Sequence, residues 1–387
     1  MAIIILAALS VAIWLYLLVG RGAFWLSRLA DVAPPANPPQ QAPKVVAVVP
    51  ARNEAAVVGA SLGTLLRQAY SGEFSVILVD DQSEDGTAQL ARAAAEEAGA
   101  ADRLTIVPGT AVPPGWTGKL WALSQGIAAA QAGPQPPDYL LLTDADIAYT
   151  ADALAGLVAR AEAGGLVLTS LMAKLRCVSR AERAFVPAFI FFFQMLYPFA
   201  WVNRPGGKTA AAAGGSMLVA RQALEAVGGI AAIRGALIDD CALAKRLKQQ
   251  GPISLGLTEK VLSLRACDGI SDIRRMVTRS AYAQLGYSPW ALAATCFAMA
   301  VTFFGPPLAA LIGAPPADAL GLAAWGLMAL AFQPTLRFYR VSPAWGLALP
   351  VIAGAYLIFT LDSALQYHRG RGGIWKGRAQ AFRSEAR

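Results

Sequence analysis

Residues 3–19, IIILAALSVAIWLYLLV, carry no charge and are long enough to cross a hydrocarbon core, so this end of the chain has to be accommodated by a membrane. No basic stretch precedes the run, whereas Arg21 and Arg28 follow it. That order is the reverse of a cleaved leader and is expected of a retained anchor. Three further apolar stretches, 290–312, 319–334 and 343–361, lie near the other end. If all three crossed and the middle of the chain were cytoplasmic, the basic tail would finish outside, against the positive-inside rule. One of the three is therefore expected not to span, or to be a re-entrant pair.

The middle of the chain reads differently. With 56% hydrophobic residues, 15% charged residues and a mean hydropathy of +0.47, the whole is too apolar for a purely soluble protein. Its centre is nevertheless too polar for a bundle that spans throughout. Residues 33–43 hold five prolines and make an extended spacer. Beyond it come VVAVV (45–49), SVILV (75–79), RLTIV (103–107) and YLLL (139–142), separated by helical stretches at 56–69, 85–98 and 119–131. Short, continuous apolar runs alternating with helices predict buried parallel strands with crossover helices, an α/β nucleotide-binding architecture. A helix over 151–163 and strands over 166–171 and 213–220 follow. The segment 185–202, FVPAFIFFFQMLYPFAWV, holds two prolines and many aromatics and reads as an interfacial helix pair. The expected organisation is an anchor at 1–22, a proline-rich linker at 23–43, the α/β domain at 44–270, an interfacial connector at 271–289, a membrane region at 290–365 and a basic tail at 366–387.

Charge and cysteine usage exclude several classes of function. The net charge of +8 comes largely from cations beside apolar segments, among them Arg337, Arg340, Arg369, Arg371, Lys376 and Arg378. This pattern points to an anionic membrane surface and away from nucleic acid. Cys177, Cys241, Cys267 and Cys296 fall at no metal-ligand spacing. His368 is the single histidine and sits in the basic tail, leaving Ser-His or Cys-His chemistry little to work with.

The chemistry-bearing residues gather at the ends of predicted strands, where open α/β sheets bind ligands. The first strand runs into Pro50, Arg52 and Glu54, which can touch a nucleotide or diphosphate or simply start a helix. The second ends in Asp80 and Asp81. Two adjacent like charges at a sheet edge are costly unless they bind something, and a carboxylate there can accept from a base or from ribose. After YLLL comes Asp144-Ala145-Asp146, whose carboxylates, two residues apart, can share a hard cation such as Mg2+ or Mn2+. Gly115-Trp116-Thr117-Gly118-Lys119 offers an aromatic and a cation that can offset diphosphate charge. Asp239 and Asp240 open an amphipathic helix, where acids also suit the helix dipole, and Gly214-Gly215-Ser216 forms a loop that a sugar can approach closely.

Taken in order, Asp80-Asp81, Asp144-x-Asp146 and Asp239-Asp240 resemble the family 2 glycosyltransferases, of GT-A fold. More narrowly, the Gly115–Lys119 stretch, the Asp239-Asp240 helix and Met276-Val277-Thr278-Arg279-Ser280 resemble the hopene-associated glycosyltransferase branch, which is similar to the ceramide glucosyltransferases. The resemblance implies a nucleotide-sugar donor, in which Asp81 contacts uracil or ribose and Asp144 and Asp146 hold the metal and diphosphate. It also implies a membrane-lipid acceptor, a hopanoid or another polyisoprenoid or sphingolipid-like molecule, activated by Asp240 as base with Asp239 as the second candidate. Relatives often carry Gln-x-x-Arg-Trp after the base. Here Arg279 is kept and the Gln and Trp are not, which points away from a processive polymer channel. The implied setting is the inner membrane, multi-pass, with the catalytic domain cytoplasmic. Two alternatives compete: a polyprenyl-phosphate sugar transferase, and a non-catalytic membrane scaffold or transporter.

Overall fold

A computed structural model describes residues 1–31, 42–133 and 135–373. Most of the proline-rich spacer and the end of the basic tail, including Lys376 and Arg378, lie outside the described residues. The chain divides into two compact units, one of Arg28–Arg176 with Trp201–Ala266, the other of Met1–Ser27, Cys177–Ala200 and Cys267–Arg387.

The first unit is built on one eight-stranded sheet. Its strands are β1 (Val45–Ala51), β2 (Phe74–Asp80), β3 (Leu104–Pro108), β4 (Tyr139–Thr143), β5 (Ile147–Tyr149), β6 (Leu168–Lys174), β7 (Ser216–Ala220) and β8 (Ile253–Ser263), in the order β3-β2-β1-β4-β7-β6-β8-β5. The four apolar runs that predicted parallel strands form β1 to β4, and β1 pairs in parallel with both β2 and β4. All seven β1 residues are buried, as a strand covered on both faces requires. Pro50 sits beyond Val48↔Leu142, the last β1–β4 pair, where its missing N–H costs that ladder nothing. The remainder is mixed: β7 runs antiparallel to β4 and β6, β8 parallel to β6, and β5 antiparallel to β8.

Helices Val58–Leu66, Thr87–Glu97 and Gly118–Gln131 connect the parallel strands. Leu62, Leu65 and Leu66 of the first of these join Leu78, Leu141 and Leu154 in the core, each contributing roughly 1.5–3 kcal/mol by leaving water. Helix Gly118–Gln131 approaches the sheet so closely that a Cβ on Gly126 would stand 2.4 Å from Val48 Cγ1 and 2.8 Å from Val79 Cγ2. This contact sets the distance between that helix and β1 and β2.

The second unit is helical. Ala2–Gly20, Pro289–Ile312, Ala317–Phe338 and Leu349–His368 are each long and apolar enough to cross a membrane, as is Arg180–Val202. Length and hydropathy thus do not single out one C-terminal helix as the segment that fails to span. Within this unit Trp14 Nε1 donates to the Thr302 carbonyl at 2.9 Å and Tyr356 Oη to the Phe185 carbonyl at 2.8 Å. Phe192 meets Phe303 and Tyr356 edge-on at 5.5 and 5.0 Å. Helix Arg180–Leu196 starts in a capping box formed by Ser179 and Glu182. The strands before and after Arg180–Val202, β6 and β7, are hydrogen-bonded neighbours in one sheet. A segment whose two ends return to one sheet starts and finishes on the same side of a bilayer, so this one does not make a single crossing.

Gly126→Ala is expected to destabilise the protein by about 1–3 kcal/mol through overpacking, read as a lower melting temperature in detergent. An unchanged melting temperature would mean that Val48 and Val79 give way freely and that this contact does not set the helix position.

Candidate active site

Parallel pairing brings the carboxyl ends of β1, β2 and β4 to one edge of the sheet, and the loops leaving them carry the acidic motifs. Asn53 and Gln82 hold left-handed backbone, φ 50° and 56°, at the turns out of β1 and β2. These two loops are laced together. The Asn53 N–H donates to Ser83 Oγ at 3.0 Å, the Glu84 N–H to Asn53 Oδ1 at 2.9 Å, and the Ala55 N–H to Asp85 Oδ2 at 3.0 Å. Ser83 and Asp85 therefore serve the loop structure.

Asp81 is buried, and Arg52 lies over it: its guanidinium donates to the Asp81 carbonyl at 2.6 Å and stands 3.7 Å from Oδ2. Arg52 Nε is buried with no hydrogen-bond partner among the described residues. An orphaned charged donor is costly, and it offers a point of attachment to an incoming acceptor group such as a nucleobase carbonyl or a phosphate. Asp80 is half-buried and accepts from the Ser83 N–H at 3.1 Å.

The centre of the site is Lys119, at the start of helix Gly118–Gln131, where Thr117 caps the first turn. Its ammonium bridges Asp144 Oδ1 at 2.9 Å and Asp239 Oδ2 at 3.1 Å. Burial opposes this charge, but the Asp144 and Asp239 carboxylates outweigh it and hold the ammonium well above its ordinary pKa. Asp144 itself is raised by burial, against the pull of Lys119, and keeps 36% of its side chain exposed. Asp240 lies next to this bridge and accepts from the Gly214 N–H at 3.0 Å and the Cys241 N–H at 2.7 Å. Burial first, and then the neighbouring Asp239, push its carboxyl up to about 6. A Cβ on Gly214 would lie 3.2 Å from the Lys119 Nζ, so the glycine leaves the space that Lys119 and Asp240 need. Thr143 Oγ1 holds the neighbouring Gly215 carbonyl at 2.8 Å, and Ser216 begins β7 fully buried.

Asp146 faces another cation. Arg265 Nε donates to its Oδ2 at 2.8 Å, and the same guanidinium reaches Glu54 Oε1 at 2.9 Å. The sequence reading missed Arg265 because it did not predict β8. A cation directly after a strand, like the acids after β2 and β4, was the signal that would have found it. Trp116 packs edge-on against Trp121, with ring centroids 5.2 Å apart. Arg279 caps helix Ile270–Thr278 in the helical unit.

The donor set suits a divalent cation that arrives with a diphosphate. Among the described residues no group of three His, Cys, Asp or Glu converges on one point. Mg2+ and Mn2+ are commonly bound by one or two carboxylates, completed by substrate phosphates and water, and Asp144 and Asp146 supply that number.

Residues 46–228 match the model for Glycosyl transferase family 2. This span is just under half of the chain, runs from the second residue of β1 past the end of β7, and ends before Asp239. The chain therefore carries a family 2 glycosyltransferase domain, and its fold is of the GT-A type. A mannosyltransferase from Pyrobaculum calidifontis, solved with GDP-Man and Mn2+, is similar in fold at a TM-score of 0.58, with 21% identity over 94% of this chain and 99% of that one. TarS of S. aureus with UDP gives a TM-score of 0.39 and 15% identity over 89% and 98% of the two chains. Glucosyl-3-phosphoglycerate synthase of Mycobacterium tuberculosis with Mn2+, UDP-Glc and glycerol 3-phosphate gives 0.38 and 19% over 63% and 80%. No curated protein matches the chain by sequence.

Lys119→Met would strand Asp144 and Asp239 without their shared cation. The expected cost is about 2–3 kcal/mol, below that of a fully enclosed pair because Asp144 is partly solvated. Thermal melts over a pH series should show the deficit shrinking as pH falls and the orphaned carboxylates protonate. A pH-independent deficit would remove charge pairing as its cause.

Proposed function

We propose that the protein is an inverting, metal-dependent glycosyltransferase that moves a sugar from a nucleotide sugar, a UDP-sugar first among them, to a hydroxyl of a membrane lipid. The observation that carries this reading is the Lys119 bridge. It joins Asp144, from the loop after β4, to Asp239, beside the candidate base, which supports a reading in which the leaving diphosphate and the attacking hydroxyl meet at this point.

In this reading Asp81 and Arg52 take the base or ribose, and Glu54 and Pro50 shape that end of the cleft with Asp80. A divalent cation, Mg2+ or Mn2+, held by Asp144, Asp146 and the diphosphate, would supply positive charge for the departing nucleoside diphosphate. Lys119 lies on Asp144 and adds charge to the same end. Asp240, fixed by the Gly214 and Cys241 N–H groups, takes the proton of the acceptor hydroxyl as that oxygen attacks the anomeric carbon. A carboxyl held at about 6 is a better proton acceptor than an ordinary aspartate and is still largely ionised at neutral pH. Gly214 and Gly215 line the approach for the sugar, with the buried Ser216 behind them and Trp116 on the acceptor side.

The five helices of membrane-spanning length support a lipid acceptor, and a hopanoid or sphingolipid-like molecule carries the hydroxyl that a base can activate. The cations flanking the apolar segments support an anionic, cytoplasmic-facing surface of the inner membrane. A second reading, in which the acceptor already carries a phosphate, as a polyprenyl phosphate does, draws on one feature. A groove of about 700 Å³ along the outer face of helix Asp239–Leu247 is lined by Arg234, Lys245 and Arg246. Mass spectrometry of lipid co-purified with the protein separates the two: a neutral hydroxylated lipid supports the first, a phosphorylated one the second.

Calorimetric titration of UDP and GDP, each with and without Mn2+, is expected to show metal-dependent binding of UDP that Asp146→Ala abolishes. Binding of GDP alone would reassign the donor, as the mannosyltransferase solved with GDP-Man illustrates. Binding of neither would remove the donor-binding assignment of the cleft.

For the base, kcat/KM is expected to rise with pH through an apparent pKa near 6, because Asp240 accepts a proton only when ionised. Asp240→Asn should lower kcat by about 100-fold or more while nucleotide binding persists. Full activity in that variant would transfer the role to Asp239.

A further inference from the structure

Each of the two carboxylates read as metal ligands is held by a cation of the chain's own. Asp144 is on Lys119, and Asp146 is on Arg265. The position of Arg265 is fixed by the backbone. β5 pairs with β8 through Ile147↔Ser263, and the Leu264 N–H donates to the Asp146 carbonyl at 2.8 Å, so the next residue stands alongside the Asp146 side chain. From there the guanidinium spans Asp146 and Glu54. Its partners keep only 9% and 10% of their side chains exposed, whereas Arg265 keeps 48%. The cation therefore covers two nearly buried carboxylates from the solvent side, the side from which a ligand enters.

We infer that Arg265 is the resident counter-cation of the metal site, which a divalent ion must displace from Asp146 before it can bind. The inference rests on Asp146 being a metal ligand, as proposed above. Two consequences follow. Free Mg2+ or Mn2+ competes poorly, because it would have to detach a charge-assisted pair while gaining only carboxylates and water. A nucleoside diphosphate changes the balance twice over: its oxygens complete the metal's coordination, and they give the released guanidinium a new anionic partner. Arg265 thereby couples metal binding to donor binding, and the site does not fill with metal ahead of substrate. Glu54 keeps the guanidinium nearby when Asp146 lets go, so the exchange needs a short swing of one side chain.

The test uses the full chain in detergent and reads Mn2+ binding by calorimetry, with and without UDP, in wild type, Arg265→Met and Arg265→Lys. Without nucleotide, Arg265→Met should bind Mn2+ about ten-fold more tightly than wild type, and UDP should tighten wild-type metal binding far more than it does the variant's. Arg265→Lys cannot reach both carboxylates as a planar fork does, so it should shift in the same direction by less, and it carries the test if the methionine variant fails to fold. If wild type takes up Mn2+ with UDP but neither variant binds Mn2+ alone more tightly, the inference is overturned while the metal reading stands. If no form takes up Mn2+ even with UDP, the metal reading falls and this inference falls with it.

Discussion

The site is organised by one ammonium group. Lys119 is fixed at the first turn of a helix packed hard against β1 and β2, and its Nζ ties Asp144 to Asp239, residues far apart in the chain. Without that charge, the loop after β4 and the helix beginning at Asp239 would present two carboxylates to each other in a poorly solvated cleft. Such carboxylates either protonate or push apart. With it, the two acidic edges stay close and Asp240 is left beside the bridge, burdened by its neighbour Asp239 and relieved only by two N–H groups and the nearby lysine. The raised proton affinity of Asp240 is thus a by-product of the same arrangement that keeps the cleft together.

Chain connectivity imposes a separate constraint on the apolar segment between β6 and β7. The chain leaves the α/β unit after β6, runs through the apolar Arg180–Leu196 helix, and comes back to form β7 next to the strand it left. Hydrogen-bonded strands cannot lie on opposite faces of a bilayer, so an apolar segment inserted between them has to return on the side it began. The helix starts in the capping box on Glu182, a residue with no exposed surface, and runs unbroken through Pro187 to Leu196.

Much of this was legible in the sequence, for a physical reason. Strands buried on both faces must be continuously apolar, which made β1 to β4 readable to within a few residues. Their carboxyl ends then located Asp80, Asp81, Asp144 and Asp146. What the sequence hid was whatever depends on pairing at the far side of the sheet. β5 is three residues long and follows the Asp144–Asp146 turn without a break, and β8 is interrupted by Gly256 and by Glu259-Lys260, so neither shows a clear period. Missing β8 meant missing Arg265. The shared partner of Asp144 and Asp239 was hidden as well: Lys119 was read as a cation for phosphate, and only the folded chain shows it between two carboxylates.

These two cations bear on how such an acidic cleft remains folded between turnovers. Family-type reasoning treats Asp144-x-Asp146 as a pair waiting for metal, but waiting has an energetic cost, since like charges at a sheet edge in a poorly solvated cleft disfavour the folded state. Here the pair is divided, with one carboxylate given to a lysine from the preceding helix and the other to an arginine just after the last strand. Each pairing is good enough to hold its carboxylate in place and exposed enough, at Asp144 or at Arg265, for solvent or a ligand to reach it. A cleft built from fully buried pairs would resist substrate, and one with no pairs would resist folding. With Lys119 enclosed but its partner Asp144 partly exposed, and Arg265 itself half exposed over Asp146, the cleft satisfies both demands.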